Sequence, residues 1–310
     1  METGNGSSVT EFILLGFTDD PELQIFLFAL FSVFYLITLV GNFIIIMLAI
    51  TDPHLHNPMY FFLTNLSFLD ICYSSVTVPK LLVNFLSESK TITFQGCITQ
   101  LHFFHFFGST EAIILSAMSY DRYVAICSPL HYSIVMNRKV CIMLALSSWL
   151  TGFLYSMMHT SLTAKLPFCK SNKISHFYCD IKPLLKLACT NTQLNEHLLN
   201  IVTGFVALGS FSLILTSYAY IGSSILKMHS VHGRQKAIST CASHLTVVLF
   251  YHGTAIFTYL TPSSAYSLEQ DKISAILFTV LTPTLNPIIY TLRNKEVKVS
   301  FRRTMFRKLL

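Results

Sequence analysis

Long stretches without charge recur along the 310-residue chain and constrain its fold more than any other feature. Seven stretches of 20 residues or more hold at most one charged residue each: 23–50, 53–79, 91–120, 140–164, 197–226, 237–268 and 273–292. A helix needs about 20 predominantly apolar residues to cross a bilayer. Because lipid offers the backbone no hydrogen-bond partner, each stretch is expected to be a helix.

The composition supports a membrane protein, since 52% of the residues are hydrophobic and only 12% are charged. Soluble domains carry about a quarter charged residues. The alternating period of a membrane β-barrel is absent, and no catalytic motif or nucleic-acid partner is indicated. We therefore predict an all-α membrane protein, a seven-transmembrane helix bundle with spans at about 23–50, 58–86, 97–127, 140–161, 196–227, 236–261 and 272–292.

The distribution of charge orients this bundle in the membrane. Residues 1–22 hold five acids and no Lys or Arg, and Asn5 begins a glycosylation acceptor, so we expect an extracellular N-terminal segment. Every Arg lies on the opposite side, which the positive-inside rule makes cytoplasmic. Residues 23–292 then form the transmembrane domain of a multi-pass plasma-membrane protein. Residues 293–310 form a cytoplasmic tail, with a short amphipathic eighth helix suited to anionic lipid.

Four cysteines fall on the outer side, where disulfides persist. Cys169, Cys179 and Cys189 share one loop, while Cys97 begins span 3. If all four are oxidised, at least one bridge must tie the loop to span 3. The spacing alone leaves the pairing open.

Two acids lie inside predicted spans, where charged groups are functional candidates. Asp70 lies ~18 Å along span 2 and Glu111 lies ~16 Å above the inner end of span 3, so their depths are similar. Two neighbouring carboxylates need a cation between them, or one must keep its proton. Asn42 and Asn286 are candidates to complete a polar cluster. We expect either a sodium-like ion or two neutral, hydrogen-bonded acids.

An acid and an arginine stand side by side at the inner end of span 3. Adjacent residues do not face each other on a helix, so Asp121 is expected to hold Arg122 loosely. A loosely held charge at the inner face suits a switch that meets a cytosolic partner. The alternative is an arginine that merely anchors the helix at the lipid boundary.

The sequence resembles the rhodopsin-like family of G-protein-coupled receptors, because Asp121-Arg122-Tyr123 ends span 3 and Asn286-Pro287-Ile288-Ile289-Tyr290 lies in span 7. Longer strings resemble the vertebrate odorant receptors within that family. They are PMYFFLTNLSFLD (58–70), AMSYDRYVAICSPLHY (117–132), HFYCDIKPLLKLACT (176–190), KAISTCASHL (236–245) and PTLNPIIYTLRN (283–294). The resemblance covers residues from about 10 to 300.

The resemblance implies Cys97–Cys179 and Cys169–Cys189 disulfides. It also implies a small organic or volatile ligand bound between spans 3, 5 and 6, and a stimulatory, olfactory-type G protein that raises cyclic AMP. The residues it assigns to coupling and switching are Asp121, Arg122, Tyr123, Tyr218, Lys236, His244, Asn286, Pro287 and Tyr290.

The chain departs in span 6 from the odorant receptors that it resembles. Odorant receptors often have Phe-Tyr-Gly where this chain reads Tyr251-His252-Gly253, so His252 either contacts ligand or serves as the switch. No acid lies at the inner end of span 6 to hold Arg122.

Helical spacing predicts which side chains meet the ligand. A pocket for a small organic molecule should be mostly apolar with a few polar groups. The predicted contacts are Leu101, Phe104, His105, Gly108, Ser109 and Ala112 in span 3, Val202, Thr203 and Val206 in span 5, and His252, Ala255, Ile256 and Tyr259 in span 6.

Other functions fit the sequence less well. A channel or transporter would explain the acids Asp70 and Glu111 inside the spans. It would not explain why the Asp-Arg-Tyr motif, the Asn-Pro motif of span 7 and the loop cysteines occur together. A non-odorant rhodopsin-like receptor is the nearer alternative. His176, Cys179 and Asp180 offer metal-ligand types, but a disulfide sulfur ligates poorly, so no metal site is predicted.

Overall fold

The computed structural model describes residues 9–260, 268–293 and 295–307, and in it the chain forms a bundle of long helices. The helices are α1 (Pro21–Thr51), α2 (Pro58–Leu86), α3 (Phe94–Cys127), α4 (Tyr132–Val135), α5 (Arg138–Ala164), α6 (Ile181–Leu187), α7 (Gln193–Leu226), α8 (Val231–Leu260), α9 (Leu268–Ile276), α10 (Thr282–Arg293) and α11 (Lys295–Arg307). A π-helical turn, Leu277–Leu281, joins α9 to α10. The strands are β1 (Glu11–Leu14), β2 (Thr91–Thr93) and β3 (Lys173–Ile174).

Predicted spans 1 to 6 correspond to α1, α2, α3, α5, α7 and α8, and span 7 corresponds to α9, the π turn and α10. Most helices begin a few residues before the predicted spans, because polar caps rather than the apolar stretch set their ends. Thr93 accepts a hydrogen bond from the Gly96 N–H, and Asn137 accepts one from the Val140 N–H. The π turn in span 7 was not predicted.

Five helical segments within the described residues are both long and apolar enough to cross a membrane: Pro21–Thr51, Pro58–Leu86, Arg138–Ala164, Gln193–Leu226 and Gln270–Thr291. Helices α3 and α8 are similarly long, with 34 and 30 residues, but are not among these five. In α3 many of the polar side chains, including Glu111 and Asp121, are buried inside the bundle.

Small residues let particular helices approach closely. A Cβ atom on Gly41 of α1 would lie 2.8 Å from Cβ of Pro287 in α10. A Cβ atom on Gly152 of α5 would lie 2.1 Å from Oγ1 of Thr110 in α3. Both contacts are too short for any larger residue, so these glycines fix the packing of α1 on α10 and of α5 on α3.

A small sheet and two disulfides cover one end of the bundle, which we call the outer end after the predicted orientation; the opposite end is called the inner end. The strand order is β2-β1-β3, with β1 antiparallel to β2 and parallel to β3. Disulfides join Cys97 to Cys179 and Cys169 to Cys189, the two pairs implied by the resemblance. We call residues 165–192 the lid loop. The segment before α1 therefore pairs with both outer loops, and the lid loop is covalently attached to α3.

Helix α11 is attached to the inner end of the bundle. The Tyr60 hydroxyl of α2 donates a hydrogen bond to Glu296 at 2.9 Å. Arg303 donates to Nδ1 of His54 at 2.9 Å and lies 3.4 Å from the Asp52 carboxylate. These contacts hold α11 against α2 and the turn that follows α1.

Candidate functional site: outer cavity, polar core and inner ion pair

A cavity of about 60 Å³ lies in the outer half of the bundle, under the lid loop. Side chains from α2, α3, α5, α7, α8 and the π turn form its wall. They are Tyr73, Phe104, His105, Gly108, Ser109, Ala112, Tyr155, Thr203, Val206, Ala207, Tyr251, His252, Ala255 and Phe278.

The structure brings most of the predicted ligand contacts together on this wall and places three elsewhere. Leu101 lies one turn farther out in α3 and packs in a separate cluster with lid-loop residues, because the lid loop covers that level. Val202 and Ile256 do not line the cavity. The residues of α7 on the cavity wall are Thr203, Val206 and Ala207. Successive side chains on a helix point about 100° apart, so Val202 points away from the cavity that Thr203 faces. The predicted contact Tyr259 has a side chain outside the described part.

Five wall residues were missed by the sequence reasoning: Tyr73, Tyr155, Ala207, Tyr251 and Phe278. Ala207 and Tyr251 continue the helical series already recognised in spans 5 and 6, so a longer series would have found them. Tyr73, Tyr155 and Phe278 come from helices that were not considered as walls, and nothing in their local sequence indicates a cavity.

A histidine on the wall is bonded to the lid loop. His105 Nε2 lies 2.9 Å from Oδ1 of Asp180, and both side chains are almost fully buried. Burial favours the neutral form of Asp180, but its interactions with His105, His176 and the Ile181 N–H together outweigh burial and lower the pKa of this carboxyl. The polar roof of the cavity is therefore an acid–imidazole pair that joins the lid loop to α3.

His252 links two helices at the side of the cavity. Its Nε2 lies 3.0 Å from the Ser210 hydroxyl of α7, and its Nδ1 lies 3.2 Å from the Val248 carbonyl of α8. The neighbouring Tyr251 hydroxyl donates to the Gly108 carbonyl of α3. The Tyr-His pair thus connects α8 to both α3 and α7 at the level of the cavity.

Below the cavity lies a buried polar core. Asn286 donates to both carboxylate oxygens of Asp70, at 3.0 and 3.2 Å. Both oxygens of the buried Glu111 lack a hydrogen-bond partner among the described residues. Asn42 does not reach either acid, because its amide donates instead to the carbonyls of Thr38 and Pro283. The predicted cluster therefore contains Asp70 and Asn286, with Glu111 unsatisfied and Asn42 bonded to the backbone.

At the inner end of α3 the structure corrects the expectation that Asp121 holds Arg122 loosely. Arg122 donates through Nε, at 3.0 Å, and through Nη2 to the same Asp121 oxygen. The Tyr132 hydroxyl of α4 donates to the other oxygen at 2.7 Å. A long arginine side chain can curl back to its neighbour even though the two Cβ atoms diverge, and burial of Asp121 strengthens the pair. Asp121 is the only ion-pair partner of Arg122 in the described part of the chain.

The other predicted switch residues surround this ion pair in different ways. Tyr218 of α7 hydrogen-bonds to Nδ1 of His244 in α8 at 2.7 Å, which joins the inner ends of these helices. Tyr123 packs against the cluster of Ile221, Ile225 and Cys241. The buried Tyr290 hydroxyl has no hydrogen-bond partner within the described residues. The predicted residue Asn5 and the side chain of the predicted residue Lys236 lie outside the described part.

Comparison with known proteins agrees with this architecture. The family model described as "Olfactory receptor" matches residues 31–308. Olfactory receptor 12D1 of Homo sapiens is 56% identical over 306 residues, which cover 98% of this chain and 96% of that protein. Olfactory receptor 12D3 of Homo sapiens is 54% identical over 98% of this chain and 97% of its own length. Olfactory receptor 5AR1 of Mus musculus is 49% identical over 99% of each chain. The chain therefore belongs to the olfactory receptor family of G-protein-coupled receptors, and it is a multi-pass odorant receptor of the plasma membrane rather than an enzyme.

Proposed function

We propose that this receptor binds a small organic odorant in the outer cavity and activates a stimulatory, olfactory-type G protein at its inner face, which raises cyclic AMP. The observation that carries the proposal is the position of the cavity. It lies among α3, α7 and α8, directly under a lid loop anchored by the Cys97–Cys179 disulfide. A mostly apolar cavity with a few polar groups suits a volatile ligand.

The proposal includes a membrane topology of seven spans. Helices α3 and α8 cross the bilayer together with the five segments that are apolar enough by themselves, and α11 lies on the inner leaflet as an eighth helix. The N-terminus is extracellular and the C-terminus cytoplasmic. Disulfides on the side of β1 and the lid loop support this orientation, because they persist in an oxidising compartment. The arginines on the opposite side of the bundle support it as well.

Signalling requires two helix arrangements that ligand and G protein stabilise differently. His252 and Tyr251 connect α8 to α7 and α3 beside the cavity, so a ligand there acts directly on α8. Movement of the inner end of α8 would break the Tyr218–His244 bond. Arg122 would then exchange Asp121 for a partner on the G protein. Because two nitrogens of Arg122 hold Asp121, the G protein must offer a competing acceptor rather than find a free charge.

We further propose that Asp70 and Glu111 hold a sodium ion in the polar core. Carboxylate oxygens suit a hard cation, and the two unpartnered oxygens of buried Glu111 support the assignment. A bound cation would neutralise the two acids and favour one packing of α2, α3 and α10. Agonist potency should then depend on sodium, and Asp70→Asn should abolish that dependence. If agonist potency at the wild-type receptor does not depend on sodium, the proposed sodium site is wrong.

The test of the main proposal uses the full chain in cells that contain the olfactory stimulatory G protein and a cyclic AMP reporter. An odorant panel should contain agonists that raise cyclic AMP without opening a conductance. Arg122→Leu should abolish that response while surface staining holds. Agonist-driven current without cyclic AMP would instead support a channel.

A further inference from the structure

The cavity wall carries no Asp, Glu, Lys or Arg among the residues that form it. The nearest acid at its roof, Asp180, already bonds to His105 at 2.9 Å and to the Ile181 N–H at 2.7 Å. A carboxylate ligand would therefore lose its water without gaining a partner of opposite charge on the wall. An ammonium ligand would find an acid only at Glu111 of the polar core, which is proposed to hold sodium. Burying an unpaired charge is strongly unfavourable, so the wall selects against both.

Most polar groups on the wall already use their hydrogens within the protein. The Ser109 hydroxyl donates to the His105 carbonyl at 2.7 Å, and the Tyr251 hydroxyl donates to the Gly108 carbonyl. Both ring nitrogens of His252 are engaged by Ser210 and Val248. None of these three groups offers a ligand a free hydrogen without breaking an existing bond.

Two hydroxyl hydrogens remain. The Tyr73 hydroxyl makes no hydrogen bond with any described residue, and it lies 3.7 Å from the position that a Cβ on Gly108 would occupy. Tyr155 and Thr203 share one hydrogen bond of 2.6 Å, so only one of their two hydrogens is used. The other hydrogen has no acceptor among the described residues. The cavity therefore has spare hydrogen-bond donors at two places, on α2 and between α5 and α7.

The two tyrosine rings are held in place by neighbours. The ring of Tyr73 stacks on Phe104 with centroids 5.0 Å apart, and the ring of Tyr155 packs against His159 at 4.7 Å. Rings fixed in this way leave each hydroxyl with little freedom except rotation about its C–O bond. Preorganised donors discriminate strongly between a ligand that accepts and one that cannot.

We infer that the odorant of this receptor is a small neutral molecule with an acceptor oxygen, such as a ketone, an aldehyde or an ester. Its oxygen is bonded by the hydroxyl of Tyr73 or by the Tyr155–Thr203 pair. This inference rests on the proposed function, since it takes the outer cavity to be the ligand site. The cavity of about 60 Å³ has room for roughly four or five waters, so the ligand is compact.

The test uses the full chain with the cyclic AMP reporter and matched odorants on linear, branched, cyclic and aromatic skeletons. Each skeleton is presented as a carbonyl compound, an alcohol, a hydrocarbon, a carboxylate and an amine. The carbonyl compounds should include the most potent agonists. Alcohols should follow, because they also accept but bring an extra donor, and the other three classes should be weakest.

Two variants that each remove one spare donor then locate the acceptor site. Tyr73→Phe removes the first donor, and Tyr155→Phe combined with Thr203→Val removes the second, because Thr203 alone would keep a free hydrogen. At least one of these two variants should lower the potency of carbonyl agonists about tenfold. Tyr35→Phe is the matched control, because its hydroxyl bonds to Ser75 away from the cavity. Surface staining should be equal for all three variants.

The outcomes separate this inference from the proposed function. If acids, amines or hydrocarbons are the most potent agonists, or if both cavity variants respond like the wild type, the inference is wrong. The proposed odorant-receptor function is not contradicted by either result. If no class of compound raises cyclic AMP although the chain is at the cell surface, the proposed signalling function and this inference both fail.

Discussion

The outer half of the bundle is held by covalent bonds and a sheet, whereas the inner half is held by hydrogen bonds and ion pairs. Outside, two disulfides, three strands and the His105–Asp180 pair fix the lid loop over the cavity. Inside, the contacts among α3, α4, α7 and α8 include Arg122–Asp121, Tyr132–Asp121 and Tyr218–His244.

This difference indicates which half can move. A disulfide contributes about 2–5 kcal/mol to a small domain, whereas a single buried hydrogen bond contributes about 1 kcal/mol. Polar contacts of that size can be exchanged for contacts with a G protein, while the outer half keeps the shape of the cavity. In the proposed function, the receptor would therefore combine a rigid cavity for the ligand with an inner face whose contacts are weak enough to break.

The largest expected effect on stability is the loss of the Cys97–Cys179 disulfide. Replacing Cys97 and Cys179 together by Ala should lower the free energy of unfolding of the purified receptor in detergent by about 2–5 kcal/mol. Cys141→Ala, a change at a buried free cysteine near the inner end, should cost only about 1 kcal/mol. Thermal unfolding checks both, and equal losses would break the contrast between the two halves.

The second largest effect should be a loss of lid-loop stability at low pH. Burial lowers the pKa of His176 in the lid loop to about 4 from its ordinary value of 6.5. As the pH falls, His176 takes up a proton in the unfolded loop before it does so in the folded loop. The stability that neutral His176 contributes to the folded loop is therefore fully present above pH 6.5 and is lost as the pH falls towards 4. At pH 5 the loss should be about 2 kcal/mol.

Hydrogen exchange of the lid loop at pH 7 and pH 5 measures this loss. His176→Phe should flatten the pH dependence, and His131→Phe, at an exposed position near the inner face, should leave it unchanged. A lid loop equally protected at both pH values would contradict the assignment.

A smaller effect is expected at the inner face. Tyr132→Phe removes one hydrogen bond from Asp121, which should weaken the Arg122–Asp121 pair by about 1 kcal/mol. Basal cyclic AMP should rise about fivefold, because that free energy favours the state in which Arg122 is released. Tyr120→Phe, at an exposed tyrosine on the same helix end as Asp121, is the control. Lower basal activity in Tyr132→Phe would show that Tyr132 supports the active state instead.

The smallest change in stability is expected at the cavity. A Cβ on Gly108 would lie 3.5 to 3.7 Å from atoms of Tyr73 and Tyr251, in ordinary contact, so Gly108→Ala should not destabilise the fold. Its effect on the unfolding free energy should match that of another helical Gly→Ala change to within about 0.5 kcal/mol. It should nevertheless lower agonist potency about tenfold by filling the cavity. Gly209→Ala, where nothing lies within 4 Å, is the control for both measurements. Equal potency in the two variants would place the ligand elsewhere.

Local sequence patterns predicted the helices well and the cavity partly. Each charge-free stretch overlaps one long helical segment of the described residues and begins within six residues of its start, because a helix in lipid needs a long apolar stretch. Helical spacing placed His105, Gly108, Ser109 and Ala112 on one face of α3, and all four line the cavity. The same reasoning included Leu101, since spacing gives the face of a helix but not the depth at which a lid covers it.

The sequence by itself determined the long apolar helices and the family motifs Asp121-Arg122-Tyr123 and Asn286-Pro287-Ile288-Ile289-Tyr290. Only the tertiary structure decided that Asp180 bonds to His105, that Tyr73 joins the cavity wall, and that two nitrogens of Arg122 donate to Asp121. The physical reason is the distance along the chain over which each property is set. The length and the periodicity of an apolar stretch depend on residues that are neighbours in sequence. A hydrogen bond between helices depends instead on the rotation and depth of both, which no local pattern records.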